Sequence, residues 1–143
     1  MTNRRWTLAV SIATALLAGT WGLQDSSAQT PAAPAAPTGF KRVELQKHDL
    51  ATPGREAVMA RGEFQAGATV PKHTHPGDEV SYVLEGEITV EVEGQPATTL
   101  KAGQAFFVPA GKVHSAKNAS KAAAAVLSTY VVEKGKPLAT PVK

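Results

Sequence analysis

The chain has no cysteine. That excludes a disulfide framework and limits any metal site to imidazole and carboxylate ligands. Net charge is also small: 15 basic residues against 12 acidic ones leave +3 at pH 7. The charges are spread too evenly to form the basic face that nucleic acid requires, so a nucleic-acid partner is not expected. No glycine-rich loop has the spacing of a phosphate cradle, and no segment repeats another. At 143 residues the chain has room for one domain.

The N-terminus is a different kind of sequence from the rest. Arg4 and Arg5 precede an uncharged apolar run from Trp6 to Leu23, followed by small and polar residues with Ser26 and Ala28 at the positions a signal peptidase reads. Residues 1–28 are expected to be a signal peptide cleaved after Ala28; left uncleaved, the same run would be a membrane anchor. The paired arginines also fit the signal that exports folded proteins. On either reading the remainder leaves the cytoplasm, for the periplasm or the medium. Residues 29–39 contain TPAAPAAP, a Pro/Ala linker that favours extended polyproline II. The domain is expected over residues 40–135, with 136–143 as a C-terminal tail.

Within the domain, turn residues punctuate short β-compatible runs. Expected strands are a short one within Val43–Leu50, then Glu56–Gln65, Val70–His75, Glu79–Leu84, Ile88–Val92, Ala97–Lys101, Ala105–Val108 and Ala124–Val132. Ala66-Gly67-Ala68 is expected to be a turn between two of them. The four alanines at 122–125 suggest a helix, but the β-branched and aromatic residues that follow argue for a strand. Such spacing indicates an all-β sandwich or barrel.

Two stretches carry the chemistry. Residues 67–86 read GATVPKHTHPGDEVSYVLEG, and residues 103–118 read GQAFFVPAGKVHSAKN. On a strand, His73 and His75 point to one side. Glu79 follows a turn that returns the chain beside them, and His114 comes from the second stretch. Three imidazoles and a carboxylate suit a first-row divalent ion such as Fe, Mn, Ni, Cu or Zn better than Ca or Mg. Taken alone, a His-x-His pair also fits two exposed histidines on an edge strand. His48, without a partner at ligand spacing, reads as a surface or structural residue.

The same two stretches resemble the paired motifs of the cupin superfamily. Gly67, His73, His75, Glu79 and Gly86 match the first motif; Gly103, Pro109, Gly111, His114 and Asn118 match the second. The short interval between them is similar to that of compact single-domain bacterial cupins of the quercetin dioxygenase-like type. The resemblance implies a small jelly-roll β-barrel (a double-stranded β-helix) with His73, His75, Glu79 and His114 as inward ligands of one metal ion. It implies a dioxygenase-like enzyme acting on a small molecule, in which Glu79 doubles as a proton acceptor. A non-oxidative isomerase or decarboxylase, and a non-catalytic module that binds metal or a small molecule, are equally compatible with the fold. A homodimer is implied as well. If Glu79 faces inward, alternation turns Ser81 and Val83 inward too, and one of Phe106 and Phe107; Ser81, Val83 and Phe106 are the expected pocket residues. Arg61 is the cationic candidate for a substrate carboxylate, though it shares a strand face with Glu63 and a solvated position is the plainer reading. Asn118 is expected to hold backbone, not metal.

Overall fold

The computed structural model describes residues 38–143. The expected signal segment and linker residues 29–37 lie outside the described residues. Among the described residues there is no helix. In the described residues nine strands form one sheet: β1 (Thr38–Asp49), β2 (Arg55–Thr74), β3 (Gly77–Glu85), β4 (Glu87–Val92), β5 (Thr98–Lys101), β6 (Ala105–Val108), β7 (His114–Lys117), β8 (Ala124–Glu133) and β9 (Thr140–Pro141). Every pairing is antiparallel, and the order β5-β4-β7-β2-β8-β3-β6 bends into a nearly closed jelly-roll barrel, with β1 and β9 both pairing with β2.

Alternation decides which side chains fill the barrel. On β3, Glu79, Ser81 and Val83 are buried, while Val80 and Tyr82 face out. On β4, Ile88, Val90 and Val92 point inward. They pack with Phe64, Val83, Leu100, Val108, Ala124 and Val126 into the main apolar cluster. Burying each large aliphatic side chain contributes roughly 1.5–3 kcal/mol. Without disulfides, this cluster is the principal support of the fold.

Three features depart from the sequence expectations. Thr38 and Gly39, assigned to the linker, open β1, which runs longer than the short first strand expected. Residues 66–68 are not a turn. Gly67 takes φ of 74° and lets β2 bend without breaking. The first half of β2 pairs with β1 and β8, the second half with β7 and β9. Finally, residues 136–143 are not a free tail. Leu138 packs beside Val58, Ala60, Tyr130 and Val132, Thr140 and Pro141 pair with Thr74 and His73, and the Val142 amide donates to the Lys72 carbonyl.

Candidate metal centre

His73 and His114 are direct cross-strand partners on β2 and β7. They share a face, and their ring centroids are 4.2 Å apart. His75 follows two residues after His73, with its ring 4.9 Å from His73 and 5.0 Å from His114. Glu79 returns on β3 after the turn through Pro76 and Gly77. A side chain at position 77 would drive into the Val131 carbonyl, so glycine permits the close approach of β3 to β8. The turn before β7 is tied to the same place, because the Gly111 amide donates to the His75 carbonyl at 3.0 Å.

Each histidine is oriented from behind. Nδ1 of His73 lies 2.8 Å from the Pro71 carbonyl, that of His75 2.5 Å from the Leu138 carbonyl, and that of His114 3.0 Å from the Lys112 carbonyl. A carbonyl only accepts, so each Nδ1 carries the proton and each Nε2 presents a lone pair. The three histidines offer ligand atoms within 4.8 Å of one another. Oε2 of Glu79 is 3.1 Å from Nε2 of His75 and 3.3 Å from Nε2 of His114. Two ligand atoms at right angles on one ion, each about 2.1 Å from it, sit about 3.0 Å apart. Nε2 of His75 is buried and makes no hydrogen bond: it stands close to Glu79 but off the line that a hydrogen bond needs. A buried polar atom without a partner is costly, and a metal ion would satisfy it. The donor set therefore fits a first-row divalent ion.

The other oxygen of Glu79 is fully engaged. Oε1 accepts from Ser81 Oγ at 2.7 Å and from Ser128 Oγ at 3.0 Å, and the two hydroxyls are 2.6 Å apart. Burial alone would raise the Glu79 carboxyl, but in the metal-free site a proton on the facing His114 or His75 Nε2, together with Ser81, outweighs it and holds the group well below the usual carboxylate range. His73 is pushed down to about 4, first by burial and then by the neighbouring His114 and His75. It is thus a neutral imidazole near pH 7, the form that binds metal. Burial, with Glu79 nearby, raises the Tyr130 hydroxyl, which stays protonated.

The four expected ligands come together. Of the expected pocket residues, Phe106 borders the small inner cavity of about 50 Å³ beside His73, Glu79 and His114. Ser81 is buried, with its hydroxyl on Glu79. Two placements correct the sequence expectations. Val83 is fully buried in the main apolar cluster and borders neither cavity at the histidines. Arg61 faces outward and pairs with Glu85 at 2.9 Å and Glu63 at 3.6 Å, because on β2 Val58, Ala60 and Phe64 take the inner face. Asn118 is fully buried and holds backbone, donating to the Gln65 and Ala122 carbonyls.

Sequence reasoning missed Ser128, Tyr130, Arg42 and Phe40. Ser128 and Tyr130 sit across from Ser81 and Glu79 on β8, and the Tyr130 ring is 4.8 Å from His75. Their signal was a serine and a tyrosine at alternating positions of an otherwise aliphatic inner face. An outer cavity of about 290 Å³ lies over the histidines, bordered by Phe40, Arg42, Lys72, His73, His75 and Tyr130 among others. It shares Phe40, Arg42, Val70, His73 and Tyr130 with the inner cavity.

The family profile described as "Cupin domain" matches residues 60–130. Germin-like protein subfamily 2 member 2 of Arabidopsis thaliana is 42% identical over 77 residues, which cover 50% of this chain and 35% of that protein. The chain thus spans only about a third of that relative's length. Among solved structures, an oxalate oxidase in complex with the substrate analogue glycolate superposes with a TM-score of 0.61 at 27% identity, covering 87% of this chain and 66% of that one. An RmlC-like cupin from Shewanella frigidimarina gives a TM-score of 0.54 at 29% identity, covering 68% and 79% of the two chains. With the barrel, the family profile and these relatives in agreement, this chain is a member of the cupin superfamily.

Proposed function

We propose that the chain is a mononuclear metalloprotein that acts on a small molecule at the open end of its barrel, with dioxygenase-like oxidation as its chemistry. The observation that carries this reading is the convergence of three imidazoles, each oriented by a backbone carbonyl, on a buried Nε2 with no protein partner. His73, His75, His114 and Glu79 would hold one ion of Fe, Mn, Ni, Cu or Zn. The ion would supply Lewis acidity and, if it is redox-active, a path for electrons. The chain's own residues do the rest. Glu79 stays ionised and neutralises part of the ion's charge. Ser81 and Ser128 fix its carboxylate plane. A carboxylate held so far below its usual range is a weak base, so Glu79 acts as a ligand first, and a proton-accepting role requires it to give up a histidine contact. Tyr130 keeps its proton and packs its ring against His75, across from Glu79. Phe40 and Phe106 exclude water from one wall. Support for oxidation comes from the superposition on an oxalate oxidase.

The test is metal analysis of protein expressed from Gln29 onward, followed by oxygen uptake with flavonols, catechols and glycolate. The expected result is one first-row ion per chain and oxygen consumption with one substrate class. Absence of metal with all three histidines intact would overturn the reading. Metal without turnover, but with retained binding of substrate-like ligands, would establish the binding-module alternative.

Export to the periplasm or medium is proposed from the N-terminal sequence, and N-terminal sequencing of secreted material should begin at Gln29. We also propose a homodimer. Val80, Tyr82, Phe107 and Val131 are exposed on the outer faces of the adjoining strands β3, β6 and β8. The four carry no charge, so a second copy of the same face is the complement they favour. Sedimentation of wild type against Phe107→Glu checks this: a dimer that becomes monomeric supports it.

A further inference from the structure

We propose that the outer cavity is a carboxylate vestibule, in which Arg42, assisted by Lys72, receives the carboxylate of a small organic acid whose far end reaches the histidines. The proposal rests on the metal reading and names its substrate class. Arg42 is on β1, directly opposite Gly62 on β2. It follows the inward pairing of Phe40 with Phe64 by two residues, and so presents the same face. Gly62 adds no side chain to cover it. Arg42 borders both cavities, and Lys72 borders the outer one.

The charge inventory points one way. Among the residues bordering the outer cavity, Arg42 and Lys72 are cationic and none is acidic. The one acid of the inner cavity, Glu79, is engaged by two hydroxyls and faces the histidines. Three basic residues elsewhere on the barrel are ion-paired, Lys47 with Glu56, Arg61 with Glu85 and Lys134 with Asp49; what sets Arg42 and Lys72 apart from the remaining unpaired ones is that they border the cavity at the histidines. Among the described residues, Arg42 and Lys72 have no such partner. An unpaired guanidinium beside apolar walls from Phe40, Val70 and Pro141 suits an organic anion. A guanidinium grips a carboxylate with two parallel hydrogen bonds, and the apolar wall accommodates its carbon skeleton. The volume, about 290 Å³, admits an acid of a few carbons or one ring.

The test is calorimetric titration with glycolate, succinate, benzoate and uncharged catechol, on metal-loaded and metal-free protein, with metal content measured separately. Expected is binding of at least one acid that weakens about tenfold in Arg42→Gln, recovers in part in Arg42→Lys and declines with added salt. Catechol should be indifferent to the substitution, and Lys41→Gln, on the opposite face, should change nothing. Acid binding that is equal in wild type and Arg42→Gln, or tighter binding of catechol than of every acid, would overturn the proposal even if metal is present. Conversely, a chain that takes up no metal but binds an acid through Arg42 would lose the metal reading and keep the vestibule.

Discussion

Two neighbouring stretches of the inner wall are built by the same strands and do opposite work. Along the β3–β8 ladder the inward pairs are Val83 with Val126, then Ser81 with Ser128, then Glu79 with Tyr130. Each step is two residues, or about 7 Å. On the Val83 side, aliphatic residues pack with Ile88, Val90 and Val108 into the main apolar cluster. On the Glu79 side, the same alternation presents two serines, a carboxylate and a tyrosine, beside the imidazoles of His73, His75 and His114. The apolar half gains stability from each side chain it buries. The polar half satisfies most of its groups internally but leaves Nε2 of His75 open, which costs the metal-free fold something. The barrel therefore separates support from chemistry within one sheet, and substitutions on the two sides should have separable effects.

The largest effect should come from the ligands. His75→Ala or His114→Ala should lower metal affinity by more than about 100-fold, a loss beyond what orienting residues produce. The thermal midpoint of the metal-free protein should fall less in His75→Ala than in Ile88→Ala, because the unsatisfied buried Nε2 leaves with the ring and offsets part of the lost bond to the Leu138 carbonyl. Metal analysis and calorimetry read the two quantities independently. On the other side, Ile88→Ala should cost about 2–5 kcal/mol in urea unfolding while the folded fraction still binds one ion. If His75→Ala destabilised the metal-free fold as much as Ile88→Ala does, the separation would not hold. A smaller effect belongs to Ser128→Ala. It removes one of two hydroxyls on Glu79 Oε1 and should weaken metal binding about 10–100-fold with little loss of stability.

How far the sequence discloses this division follows from the range of each interaction. His73, His75 and Glu79 sit on one strand–turn–strand unit, so local alternation and a turn suffice to bring them together. His114 is remote, yet the glycine and proline pattern around it marks the second half of the site. Ser81 was correctly turned inward by the parity of Glu79, but its hydrogen bond to Glu79 depends on Ser128, which alternation within β3 cannot reveal. Arg42 and Tyr130 join the site only through the pairing of β1 and β8 with β2 and β3, a non-local fact. Gly67 signals a break by residue type, and only the partners that flank it, Phe40 on Phe64 and Thr38 on Thr69, show it to be a bend within β2. Residues 136–143 carry no strand pattern; β9 forms because the His73–Thr74 backbone offers an edge and Leu138 has an apolar seat. Arg61 is a pocket candidate by its chemistry alone; its parity with Glu63, against Val58 and Ala60, makes solvent the plainer reading, and that is where it lies.

The finest test uses pH, because only the polar half titrates. In the metal-free protein His73 is held at about 4 by burial and its histidine neighbours, against an ordinary value of about 6.5. Between those values the unfolded chain binds a proton that the folded chain refuses, so stability must fall as pH drops from about 6.5 toward 4. Glu79 acts in the same sense lower down. Its depressed carboxyl contributes fully above the unfolded value of about 4.3 and loses that contribution as pH falls further. Urea midpoints of metal-free wild type should therefore be level near pH 7.5, then decline below about 6.5 and more steeply below about 4.5. Ile88→Ala should lower the whole curve in parallel, since it removes apolar packing and no titratable group. His73→Gln should flatten the segment between about 6.5 and 4.5, leaving the lower decline due to Glu79. A slope there that survives His73→Gln would assign the refused proton to another group and remove His73 from the polar half's energetics.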